Sequence, residues 1–142
     1  MEFERRSDAV RIPRKLMRGM LERLLGELDR PVEVSVALVD DAEMARLNRR
    51  FLSRSGTTDV LAFRLDDESD PCVIGQIVIS AQVARREAQR RGIPVKRELA
   101  LYAVHGALHL LGHDDSTPSG RERMRRLEAE ALVQSGLPEP QG

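Results

Sequence analysis

At 142 residues the chain is long enough to bury one core and too short for two ordinary domains, so a single domain over residues 1–142 with one site is expected. Hydrophobic residues make up 41% and charged residues 32%, and no apolar run approaches the roughly 18 residues that span a bilayer, so no membrane partner is expected. One cysteine, Cys72, excludes an internal disulfide, and MEFERRSDAV lacks the apolar stretch of a secretory leader, which together point to the cytoplasm.

In chain order, PRKLMRGMLERLLGEL (residues 13–28) places Leu16, Met20, Leu24 and Leu28 at helical spacing behind Pro13, a residue suited to a first turn. PVEVSVALV (31–39) alternates Val32, Val34, Val36 and Leu38 against Glu33, Ser35 and Ala37, the period of a half-buried strand. Asp40 and Asp41 offer an N-cap to a short helix with Met44 and Leu47. SRSGT (53–57) reads as a loop, Thr58–Leu65 as a strand, DDESDP as a turn, and VIGQIVIS (73–80) as a second apolar strand. AQVARREAQRR (81–91) is helical between a Ser80 cap and a Gly92 stop. The next helix, from Pro94 to Leu111, carries Leu101, Val104, Leu108 and Leu111 on one face and Glu98, Tyr102, His105 and His109 on another, which suits a helix packed in the protein's middle. Ser116 and Thr117 before Pro118 open a last helix with Met124, Leu127 and Leu132, ending near Gly136. The order helix, strand, helix, strand, strand, helix, helix, helix implies an α+β domain, a mixed β-sheet covered by helices, with a central helix carrying an HxxxH motif.

The 23 basic and 23 acidic residues cancel, which removes the simplest electrostatic case for nucleic-acid binding. Their distribution is uneven, however. All but Lys15 and Lys96 of the basic residues are arginine, and they cluster at Arg85, Arg86, Arg90, Arg91 and Arg97 and again at Arg121, Arg123, Arg125 and Arg126. The guanidinium fork grips phosphate in two places at once, so either cluster could hold an RNA backbone. The commoner state of such runs is a solvated helix face, with Glu87, Glu122, Glu128 and Glu130 as local partners.

All three histidines fall in HGALHLLGHDD (105–115). His105 and His109, four apart on a helix, project imidazoles from one face within reach of a single ion. Gly112 can reverse the chain and bring Asp115 back as a third ligand, matching the H-x3-H-x2-G-x2-[H or D] spacing of extended zinc sites. His113 is the alternative third ligand, less well spaced; its ordinary pKa near neutrality also suits a general acid or base. One Zn2+ per chain is the expected cofactor. Zinc proteases carry a glutamate base directly after the first histidine; here that position is Gly106, which argues against peptide hydrolysis.

HGALHLLGHDD resembles the HGxLHLxGYDH pattern of the YbeY family, metal-dependent endoribonucleases of bacterial ribosomal RNA maturation. LNRRFLSRSGTTDVLAF resembles the family's LN-x2-[YF]-R-x5-TDVLSF segment, and IGQIVIS its LGDI-x-IS strand. The matches run in order from about Leu47 to Asp115. The resemblance implies a metzincin-like topology and cutting of single-stranded RNA. It implies a role in processing the 3′ end of 16S RNA and in ribosome quality control, with the small ribosomal subunit or its associated proteins as partners. It also puts Thr58 and Asp59 at the cleft, Asp59 as a catalytic residue. The family's third histidine falls on Asp115, its tyrosine on His113, its arginine after the aromatic on Leu52 and its acid on Gln76. Arg54 stands close enough to replace the missing guanidinium. A metal-dependent hydrolase of other substrates and a ribosome-associated factor with a structural metal remain as alternatives. Glu98, on the face expected for His105, either orients a ligand or pairs with Arg97 or Arg91 in solvent. With one Tyr, three Phe and no Trp, recognition through the RNA backbone rather than the bases is expected.

Overall fold

The β-branched alternation at Val32–Val39 and the apolar run at Val73–Ser80 form two parallel strands at the centre of a four-stranded sheet, pairing Val32 with Val73 through Val39 with Ser80. The computed structural model describes residues 1–52, 58–67 and 69–137. Its elements are β1 (Glu2–Arg5), α1 (Arg14–Leu25), β2 (Val32–Val39), α2 (Asp41–Leu52), β3 (Val60–Arg64), β4 (Val73–Ser80), α3 (Ala81–Arg91), α4 (Val95–Leu110) and α5 (Pro118–Gln134). The sheet order is β1-β2-β4-β3, with β3 antiparallel to β4 and the other pairs parallel, so the α+β mixed-sheet expectation holds.

The expected helices and strands stand within a few residues of their predicted bounds, while the loop expected at 53–57 lies outside the described residues. Ser80 caps α3 by accepting from the Val83 N–H, and Gly92 ends it at φ +66°. Strand β1 is additional: residues 2–5, charged apart from Phe3, pair with Ser35–Leu38 along the sheet edge. No apolar period announces it, because backbone pairing holds it there. The alternation read into β2 also needs correction. Its first half is half-buried, but Val36 through Val39 are buried on both faces, since Ala37 and Val39 pack with Met44 of α2, Leu61 and Val78.

On the other face of the sheet α1, α3 and α4 build the main core, with Leu21, Val36, Ile77, Leu99, Ala103 and Ala107 among its members. A further cluster joins Met20 of α1, Val104 and Leu108 of α4, and Met124 and Leu132 of α5, so α4 lies between the sheet and α5. Each such fully buried aliphatic side chain contributes roughly 1.5–3 kcal/mol. Helix α4 is therefore apolar on two faces rather than one, which leaves only a narrow sector for His105 and His109. Glu98 and Tyr102, expected beside the histidines on a polar face, are both buried.

Two glycines set how closely α4 approaches the sheet. A Cβ on Gly106 would stand 2.8 Å from Ile77 Cγ2, and one on Gly75 of β4 would stand 2.7 Å from Leu110 Cδ1. Both separations are shorter than packed carbon atoms tolerate. Among the described residues no helix is long and apolar enough to cross a membrane.

Candidate metal centre

The i, i+4 spacing on α4 sets the two imidazoles side by side, with their Nε2 atoms 3.2 Å apart. Helix α4 then ends as the sequence suggests. Gly112 adopts φ +95°, its N–H donates to the His109 carbonyl, and the His113 N–H donates to the Leu108 carbonyl, a Schellman closure that reverses the chain. The returning loop carries Asp115 Oδ2 to 3.7 Å from His105 Nε2 and 3.8 Å from His109 Nε2. Ligand atoms about 2.0–2.2 Å from a tetrahedral ion lie roughly 3.3–3.6 Å from one another, so the three donors stand close to ligand spacing. Among the described residues His105, His109 and Asp115 are the one group of three metal-ligating side chains that converges in this way. The donor set, two imidazoles and a carboxylate, fits a borderline-soft divalent ion and leaves a fourth position for solvent or substrate.

The start of α5 holds the loop in place. Asp114 accepts from the Ser116 N–H and hydroxyl, Thr117 caps α5 by accepting from the Gly120 N–H, and Pro118 occupies the first turn. Arg121 donates to the Asp115 carbonyl at 3.3 Å.

One residue essential to this arrangement has a different role from the one expected of it. Glu128, read as a solvated partner for nearby arginines, is buried on α5 with Oε1 2.7 Å from His105 Nδ1. A carboxylate can only accept, so Nδ1 carries the proton and the Nε2 lone pair is left facing His109 and Asp115. Burial pushes the His105 pKa down, but the Glu128 hydrogen bond and the charges of Glu128, Asp59 and Asp115 outweigh it and leave the pKa raised. The sequence carried a usable signal: Met124, Glu128 and Leu132 repeat at intervals of four, placing an acid within a buried stripe. Glu98, by contrast, reaches no histidine. It is buried, 3.5 Å from Arg91 and 3.6 Å from the equally buried Arg97, so its ion pairs are internal rather than solvated.

His105 and Asp115 line a cleft of about 320 Å³ whose walls also include Asp59, Tyr102, Arg121, Met124, Arg125 and Glu128. Asp59 is exposed at this cleft, with Oδ1 accepting from the Val60 N–H at 2.8 Å and its carbonyl accepting from the Ser80 N–H at 2.9 Å. Its carboxylate thus both caps β3 and faces the site. Thr58 lines the adjoining cavity. His113 sits half-buried just past the Gly112 turn and is not among the converging donors. Arg54 lies outside the described residues. Gln76, where the resembling family has an acid, alternates with Ile77 and so lies on the α2 side of the sheet, beside Ser35 and Phe63. The missing acid is therefore absent from the face opposite the metal donors. Gly106 faces Ile77 and Val60, so the position that carries the base in zinc proteases points into the sheet.

The family model described as Endoribonuclease YbeY matches residues 2–136. Relatives named endoribonuclease YbeY include one from Syntrophus aciditrophicus, 38% identical over 128 residues that cover 85% of this chain and 80% of the relative. Another, from Syntrophotalea carbinolica, is 33% identical and covers 94% and 93%. A third, from Myxococcus xanthus, is 41% identical over 75% of this chain, which spans only 37% of that longer relative. A Thermotoga maritima protein solved in solution superposes with a TM-score of 0.61 at 24% identity, covering 100% of this chain and 99% of that one, and so supports the fold alone. With a family model matched across nearly its whole length and relatives of this similarity, the chain belongs to the endoribonuclease YbeY family.

Proposed function

We propose that this member of an endoribonuclease family cuts single-stranded RNA with one zinc ion held by His105, His109 and Asp115, and that it acts in ribosomal RNA maturation in the cytoplasm. The observation that carries the reading is the convergence of three ligand atoms at the edge of a cleft. A zinc ion bound there supplies Lewis acidity toward a phosphoryl oxygen and a more acidic bound water.

The protein's own groups do the rest. Glu128 holds His105 in the tautomer that presents Nε2. Asp59 offers a carboxylate to a water or ribose hydroxyl entering the cleft, and His113 carries protons at the site's edge. Arg54 contributes a further guanidinium to the phosphates. The scarcity of aromatic residues favours backbone over base recognition, consistent with an RNA substrate chosen for being single-stranded. Small-subunit ribosomal RNA, including the 3′ end of its 16S component, is the proposed substrate, and the small subunit or its proteins the proposed partners. Peptide hydrolysis is disfavoured because a side chain at position 106 would point into the sheet.

The test is cleavage of an end-labelled single-stranded RNA alongside casein, with zinc measured by elemental analysis. Cutting of the RNA that a chelator abolishes and zinc restores is expected. Intact RNA from protein carrying a full equivalent of zinc would sink the enzymatic reading.

A further inference from the structure

The two arginine clusters have different fates. Around α3 the guanidinium groups other than that of exposed Arg85 are engaged by carboxylates: Arg86 with Asp41 at 2.8 Å, Arg90 with Glu87 at 2.6 Å, and Arg91 with Glu87 at 3.7 Å and Glu98 at 3.5 Å. Arg97 is buried against Glu98. On α5, Arg121 and Arg125 make no ion pair among the described residues. They stand one turn apart and both line the cleft that holds His105 and Asp115. Arg123 and Arg126 of the same helix are exposed but do not line it.

The cleft wall also carries Asp59, Asp115 and Glu128, three carboxylates that repel a polyanion. Arg121 and Arg125 are the arginines or lysines on that wall, and neither forms an ion pair with a carboxylate among the described residues. A planar guanidinium in this position can take two oxygens of a phosphodiester at once. The adjoining cavity of about 440 Å³ shares Asp59, Leu101 and Tyr102 with the cleft, but its Arg90 and Arg91 are already paired. A strand crossing the site therefore meets open cationic groups on the α5 side and closed ones on the α3 side.

We propose that Arg121 and Arg125 form the phosphate clamp that seats an RNA strand against the metal donors; this rests on the endoribonuclease reading above. The two residues are binding groups for backbone phosphates and carry no information about base identity.

The experiment compares wild type with Arg121→Gln, Arg125→Gln and the double variant, using a single-stranded RNA oligonucleotide. Zinc content, cleavage kinetics, and binding across a salt series in chelator are measured for each. Arg123→Gln/Arg126→Gln removes the same charge from the same helix outside the cleft and serves as the control. Each cleft substitution should weaken binding about tenfold. The double variant should also flatten the slope of log affinity against log salt by about 1.4, and Arg125→Gln should keep its full zinc content. The control should keep the wild-type site affinity. Arg125→Gln is decisive, because Arg121 also donates to the Asp115 carbonyl and its loss can disturb the ligand loop. Wild type that cuts RNA while Arg125→Gln binds and cuts with unchanged affinity and salt slope overturns the clamp. Equal losses in the control and the cleft variants overturn it too, by reducing the effect to net charge. Wild type that neither binds nor cuts RNA overturns the endoribonuclease reading instead.

Discussion

Helix α4 has two working sides that answer to different demands. Toward the sheet it packs so closely that Gly106 has no room for a Cβ beside Ile77, and Leu99, Ala103 and Ala107 are wholly buried. Toward the cleft His105 and His109 keep side-chain exposures of 28% and 34%, enough for an ion and a substrate to reach them. The difference teaches that the missing protease base is a packing outcome as much as a chemical one. A residue one step after His105 turns toward the strands, and there only glycine fits.

That contrast predicts which substitutions unfold the chain and which merely empty the site. The largest effect is expected from Gly106→Glu, which forces a charged side chain into the α4–sheet contact. A loss of at least about 4 kcal/mol is expected, read as collapse of the thermal transition with or without zinc. Gly106→Ala should remain folded but lose stability, because overpacking costs about 1–3 kcal/mol against a helix-propensity gain of about 1 kcal/mol.

On the opposite side, His109→Ala should abolish stoichiometric zinc binding without unfolding the apo protein. Its melting temperature in chelator should match that of chelated wild type, and the zinc-dependent increment, about 2.7 kcal/mol at a hundredfold excess over Kd, should vanish. If chelated His109→Ala melts far below chelated wild type, the separation between the two sides fails. Glu128→Gln should be milder still, weakening zinc affinity about 10- to 100-fold by loosening His105, as competition with a chromophoric chelator would measure.

The smallest effect concerns the C-terminal end of α4, where Arg64 of β3 donates to the Leu110 carbonyl and is itself held by Asp66 at 2.7 Å. The Arg64 hydrogen bond draws the Asp66 pKa down to about 2 from an ordinary 3.8. A depressed carboxyl contributes stability that is fully present above its unfolded pKa and is lost as pH falls through its folded one. Asp66→Asn should therefore flatten the acid limb of the stability profile between about pH 4 and 2 and leave its shape at neutral pH alone. An unchanged acid limb would show that this contact contributes nothing.

Much of this was legible beforehand, and the exceptions have physical reasons. The histidine spacing, the Gly112 reversal and the return of Asp115 are local geometry, which a helical period and a left-handed residue determine within a dozen positions. The partnership of His105 with Glu128 spans 23 residues and depends on how α5 docks against α4. From the sequence, Glu128 looked like one more charge in an arginine-rich run, although its place in the Met124–Leu132 stripe hinted otherwise. Glu98 misled in the opposite way. Its helical phase suggested the histidine face, but the neighbouring Arg91 and Arg97 compensate its charge and allow it to be buried. The two arginine clusters looked alike as letters and were separated only by which of them found carboxylates in three dimensions.

Strand β1 has a consequence beyond completing the sheet. Glu2, Glu4 and Arg5 are exposed along an outer strand, where the cost of desolvating charged side chains discourages edge-to-edge association. Behind them lies β2, whose VSVALV run is rich in β-branched residues and would template such pairing if uncovered. The charged opening residues thus act as a gatekeeper against aggregation. Removing residues 1–6 should raise light scattering on storage even if the remaining chain still folds and binds zinc.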